Sequence, residues 1–160
     1  GYGQLAWKLQ SDPRVEVHDR TNVRTLDPAS VAPAPGLVVG DMSFISLTLV
    51  LPALVGAAAP DADFLLMVKP QFEIGKERLG HGGVVRNPEH HVETVDNVAR
   101  CAMGLGLDIA AIAASPLPGP SGNVEYFLFM RRAYPDPIKA DELTDYIRRA
   151  VAEGPAGRQS

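Results

Sequence analysis

Apolar positions fall in short blocks separated by turn residues, and the period within the blocks alternates between two and about 3.6. Residues 15–18 alternate after the Asp12-Pro13 turn and predict a strand. Residues 37–41 are continuous and β-branched after Pro33-Ala34-Pro35-Gly36, which predicts a strand buried on both faces. Residues 64–68 repeat that character and stop at Lys69-Pro70. Residues 109–114 read as a strand, although their alanines suit a helix equally well, and residues 125–130 form an aromatic-rich fifth run.

Helical periods lie between these runs. Residues 4–9 form a short one. Ser43 or Ser46 caps a second, whose stripe is Leu47, Val50, Leu51, Leu54 and Val55. Asn87-Pro88 opens a third, with Val92, Val95, Val98, Ala99 and Ala102 on one face and Gly104 or Gly106 as the stop. Residues 141–152 form the last, through Leu143, Tyr146, Ile147 and Val151. Strands alternating with helices predict an α/β fold with a mostly parallel, doubly wound sheet. The last two strands are joined by a Pro/Gly loop without a helix, so one of them must run antiparallel. Trp7 is expected in the core or over the sheet edge, and residues 154–160 are expected to form a flexible tail.

Composition narrows the class without naming a function. The 160 residues are 46% hydrophobic and 21% charged, enough for one ordinary domain with a real core. A net charge of −4 is unfavourable for a partner such as RNA unless basic groups cluster on one face or lie elsewhere. The single Cys101 fits a reducing, cytoplasmic setting and a small apolar role. No apolar run is long enough for a membrane span. His81, His90 and His91 lack partners at metal-ligand spacing, so no metal is expected and solvated histidines are.

In open α/β sheets, ligands bind beyond the carboxyl ends of the strands. Asp41 and Lys69 end two strands, and Glu125 opens an antiparallel one, so all three converge on one edge. Such a set suits deprotonation of an alcohol, with an amine as proton acceptor and carboxylates orienting it. Taken singly, Lys69 and Glu125 read as solvated surface residues, whereas an Asp that ends a buried strand, as Asp41 does, is often functional. The glycine-rich stretch from Gln71 to Asn87 carries Lys76, Arg78 and Arg86 and is either a phosphate-holding lip or a surface connection. No phosphate-binding GxxxxGK[ST] loop is present.

Six ordered motifs carry a resemblance. They are Gly1-Tyr2-Gly3-Gln4-Leu5-Ala6-Trp7, Arg20-Thr21-Asn22-Val23-Arg24, Asp41-Met42-Ser43-Phe44-Ile45-Ser46, Val68-Lys69-Pro70-Gln71-Phe72-Glu73-Ile74-Gly75, Gly82-Gly83-Val84-Val85-Arg86, and Ser115-Pro116-Leu117-Pro118-Gly119-Pro120 with Gly122-Asn123-Val124-Glu125-Tyr126-Phe127-Leu128. Together they resemble the TlyA family of haemolysin A-like ribosomal RNA methyltransferases. The resemblance implies a Rossmann-like class I methyltransferase fold and S-adenosyl-L-methionine-dependent 2′-O-methylation of cytidines in 16S and 23S rRNA, with ribosomal subunits as partners. It implies that Asp41, Lys69 and Glu125 match three members of a Lys-Asp-Lys-Glu tetrad, with Lys69 the proton acceptor. It also implies that Asn22, Val23, Asp41, Met42 and Ser43 line the cofactor. By the same resemblance, residues 1–153 are a partial methyltransferase domain. The first strand, its glycine-rich loop, the first tetrad lysine and an S4-type RNA-binding domain are expected upstream of Gly1. Competing expectations are a membrane-active haemolysin and a non-catalytic RNA-binding module.

Overall fold

Two parallel strands followed by an antiparallel pair set the frame of the computed structural model, which describes residues 1–158. Strand β1 (Leu37–Gly40) pairs in parallel with β2 (Asp63–Val68). Strand β4 (Tyr126–Arg131) runs antiparallel between β2 and β3 (Asp108–Ala114), giving the order β1-β2-β4-β3. The mixed sheet expected from the chain order is therefore present, with β4 the reversed strand. Residues 109–114 are strand, not helix, because β4 pairs with them on both sides of a register shift between Ile109 and Ala111, a partnership that composition alone does not reveal.

The helices are α1 (Trp7–Gln10), α2 (Leu47–Ala57), α3 (Pro70–Glu73), α4 (Pro88–Gly104) and α5 (Leu143–Glu153). Ser46, not Ser43, caps α2 through the amide of Thr48. Pro52 lies inside α2, so the Thr48 carbonyl receives no amide from it; the Cys101 thiol lies 4.0 Å from that oxygen. Asn87 caps α4 as its sequence implies. Guanidinium bonds from Arg132 to the carbonyls of Val55 (2.9 Å) and Ala59 (3.1 Å) close the other end of α2.

The core lies between α2, α4 and α5 and one face of the sheet, where Phe64, Leu66, Val68, Tyr126, Leu128 and Met130 are fully buried. The alternating positions on the other face include Leu37 (62% exposed), Val39 (68%) and Leu65 (39%). Strand β1 is thus not buried on both faces, and among the described residues helices α2, α4 and α5 cover one side of the sheet.

Several local expectations are corrected. Residues 15–18 form no strand: the sheet holds four strands, none of which pairs with that segment, and alternation without a pairing partner leaves the chain irregular. Trp7 is 79% exposed because the four-residue α1 contributes no residue to the core. The segment Pro155–Arg158 is not a loose tail but a 3-10 turn against α5, with Ala156 buried; residues 159–160 lie outside the described residues.

Candidate active site

Register alone brings two of the three candidate residues together. Val68 is opposite Tyr126, so the residue after β2, Lys69, faces the residue before β4, Glu125. Asp41 follows β1 at the same rim. The Lys69 Nζ lies 2.6 Å from Asp41 Oδ1, 3.8 Å from Glu125 Oε1 and 3.5 Å from Ser43 Oγ. Lys69 and Glu125 are buried, whereas the Asp41 side chain is 70% exposed. A buried ammonium would be costly alone, and two carboxylates within reach offset that cost. The trio forms one constellation around the Lys69 amine.

A cavity of about 1000 Å³ opens beside the trio. Ser43, Lys69 and Glu125 stand in its wall, with Phe44, Gln71 and Asn123 beside them. Phe44 is 90% exposed with a φ of 63°, a left-handed conformation uncommon for a bulky side chain, and its ring lies 5.0 Å from that of Phe72. An aromatic face held toward solvent at a cavity mouth suits stacking against a planar group. Gln71 Nε2 donates to Glu125 Oε1 at 3.1 Å, while its own Oε1 is buried without a partner among the described residues.

The other wall is the glycine-rich stretch, held by Asn123. Its Oδ1 accepts from the Val85 amide (2.9 Å) and its Nδ2 donates to the Gly83 carbonyl (2.9 Å). His91 backs this arrangement. It is buried, not solvated as its polarity suggests, with Nε2 2.8 Å from the Val85 carbonyl and Nδ1 2.8 Å from the Tyr126 hydroxyl. The carbonyl requires a proton on Nε2, so the tyrosine donates to Nδ1. Burial depresses the His91 pKa, with the Val85 carbonyl partly opposing that shift. Burial likewise pushes the Tyr126 hydroxyl up.

The three basic candidates separate. Lys76 lines the cavity. Arg78 makes two bonds to Glu93 (2.8 and 2.6 Å), and Arg86 donates to the His81 carbonyl (3.2 Å). Arg24, which the charge pattern did not single out, also lines the cavity. Among the cofactor candidates, Asn22 caps a 3-10 turn at Val23–Thr25, and Val23 packs on the edge of the core. Met42 also packs against the core, with its methyl group lying above Gly40. Gln71, Phe44 and Asn123 were not singled out from the sequence, although each lies inside a quoted motif within three residues of Asp41, Lys69 or Glu125. Among the described residues no helix is long and apolar enough to cross a membrane, and no cluster of metal-ligating side chains occurs.

Comparison with known proteins supplies the family. The chain is 54% identical over 155 residues to the 16S/23S rRNA (cytidine-2′-O)-methyltransferase TlyA of Mycobacterium tuberculosis, a match covering 97% of this chain and 58% of that protein. It is 28% identical over 127 residues to Hemolysin A of Brachyspira hyodysenteriae, covering 79% of this chain and 53% of the relative. A solved structure from Streptococcus thermophilus that carries a hemolysin name superposes with a TM-score of 0.84 at 30% identity, over 100% of this chain and 58% of that one. The chain thus spans little more than half the length of these relatives. The sequence profile of the FtsJ-like methyltransferases matches residues 1–132, and the chain belongs to that family.

Proposed function

We propose that this chain carries the catalytic face of an S-adenosyl-L-methionine-dependent RNA 2′-O-methyltransferase acting in the cytoplasm on cytidines of 16S and 23S ribosomal RNA. One observation supports this reading above the others: a buried amine, Lys69, within 2.6 Å of Asp41 and 3.8 Å of Glu125 at the strand-end rim of a methyltransferase-family sheet. The Mycobacterium tuberculosis relative, named for this reaction, supplies the substrate class. An S4-type RNA-binding unit elsewhere in the protein belongs to the same proposal, since the chain's net charge of −4 offers RNA little attraction.

The residues suit the methyl donor at the rim. Asp41 Oδ1 is engaged by Lys69, but the carboxylate is largely exposed and attractive to a sulfonium or ammonium cation. Ser43 adds a hydroxyl beside it, with Asn22, Val23 and Met42 proposed along the rest of the cofactor. Held by these residues, S-adenosyl-L-methionine would supply an electrophilic methyl group, its sulfur keeping the electron pair of the broken bond. In its neutral form the Lys69 amine accepts the proton of the ribose 2′-hydroxyl as the oxygen–carbon bond forms; Asp41 and Glu125 hold the resulting ammonium, which passes the proton to solvent before the next turnover. Phe44 stacks on the base, and Lys76, Arg78 and Arg86 are proposed contacts to flanking phosphates, with Lys76 best placed. Alignment of a bound alcohol with the methyl group supplies much of the acceleration.

The test is transfer of labelled methyl groups by the full-length protein to ribosomal RNA, followed by nuclease digestion and nucleoside analysis. The expected product is 2′-O-methylcytidine. Label on a base, or none on any RNA, overturns the reading.

A further inference from the structure

Strands β1 and β2 stop pairing at Gly40 and Leu66, yet the segments beyond them stay joined by side chains. Asp41 meets Lys69 at 2.6 Å. Further along, the Phe44 and Phe72 rings lie 5.0 Å apart. Beyond these, Glu73 receives the Ser46 hydroxyl at 2.6 Å and the Leu47 amide at 2.8 Å. Three successive contacts thus zip the Asp41 loop to the Lys69 loop, and Glu73 closes the far end.

Glu73 does more than an ordinary cap requires. Ser46 already caps α2 through the Thr48 amide at 3.2 Å. Glu73 adds bonds from a different element, reaching the first amide of α2 and the capping hydroxyl itself. Both oxygens are engaged, and the carboxylate faces the positive end of the helix. Burial pushes Glu73 up, while the bonds from Ser46 and Leu47 pull it back. Its removal frees the one end of the Asp41 loop that Lys69 does not itself hold.

We infer that Glu73 is a positioning residue: by clasping Ser46 and Leu47 it fixes the Asp41 loop against Lys69 and thereby sets the approach of Asp41 to the amine. This rests on the methyltransferase reading above. The clasp acts on the orientation of reacting groups more than on RNA affinity, because Glu73 does not line the cavity.

The experiment measures rRNA methylation by the full-length protein carrying Glu73→Ala, Glu73→Gln or Ser46→Ala, each alone and with Asp41→Asn, with Lys69→Ala as control. Circular dichroism and melting accompany every variant. Glu73→Ala is expected to lower kcat about 10- to 100-fold with KM for RNA within about threefold of the parent. Glu73→Gln keeps acceptor oxygen and shape and is expected to restore most of the rate. In the Asp41→Asn background the Glu73 effect should largely vanish, since the carboxylate charge that the clasp holds beside Lys69 is gone. An equal loss in both backgrounds, or a melting shift without a kcat change, overturns the inference. Should Glu73→Ala fail to fold, Ser46→Ala, which removes one of the two clasp bonds, reports the same non-additivity. If Lys69→Ala abolishes transfer while the clasp variants leave kcat unchanged, this inference alone falls. If Lys69→Ala keeps the parental rate, Lys69 is not the proton acceptor and this inference falls with that assignment; if the parent protein itself methylates no RNA, the methyltransferase reading falls first.

Discussion

A Cβ on Gly119 would stand 2.7 Å from Glu125 Oε1, the oxygen that also accepts from Gln71 and faces Lys69. The proline-rich loop therefore passes close against a carboxylate, and any side chain at position 119 would have to displace it. Gly119→Ala is expected to push Glu125 away from the amine and lower kcat roughly 10- to 100-fold, with RNA affinity nearly unchanged. Single-turnover methylation together with filter binding checks both halves. A variant with parental kcat would show that Glu125 does not need its present position.

Folding holds His91 neutral, so the unfolded chain binds more protons below the ordinary value of 6.5. The sign follows: stability from this site is present above pH 6.5 and is lost as the pH falls toward the depressed folded value. Within that window each pH unit removes at most about 1.4 kcal/mol. Urea melts between pH 7.5 and 5 should show the decline, and His91→Gln should flatten it. An identical slope in both proteins would assign the acid sensitivity to other groups.

Asn123 ties the glycine-rich wall to the start of β4 by one accepted and one donated bond. Asn123→Ala leaves the Val85 amide and Gly83 carbonyl without their partner and should cost about 1–3 kcal/mol of stability. Hydrogen exchange at Val85 should accelerate well before exchange in α4. Unchanged protection there would mean that the wall is held by other contacts.

Much of the fold was legible in the sequence, for identifiable reasons. Strands β1 and β2 and helices α2, α4 and α5 announce themselves through apolar period and caps, since Ser46, Asn87 and their stripes act locally. Residues 15–18 misled because alternation states which face a strand would bury, while pairing depends on a neighbour that no local pattern reports. Trp7 misled for a related reason: an aromatic is drawn to a core only where a core lies within reach, and its short helix reaches none. At the site, strand-end logic located Asp41, Lys69 and Glu125. It did not reach His91, whose burial depends on Tyr126 and Val85 arriving from distant elements. Nor did it reach Glu73, which looks like a surface acid until Ser46 and Leu47 are seen against it.

The rim cations should differ in their contribution to RNA binding. Lys76 and Arg24 line the cavity, whereas Arg78 is held by Glu93. Lys76→Ala or Arg24→Ala should reduce the slope of log affinity against log salt by about 1, and Arg78→Ala should change it less. Titrations of full-length protein with ribosomal RNA at several salt concentrations decide this. A larger effect from Arg78 would mean that RNA displaces Glu93.

The central claim is that Lys69 takes the proton from a ribose hydroxyl. Its most direct test is the single-turnover rate of rRNA methylation by full-length Lys69→Ala, with RNA and S-adenosyl-L-methionine binding measured in parallel. The account predicts a loss of about 100- to 10,000-fold in rate with both ligands still bound. A rate equal to the parent, with folding intact, would contradict it.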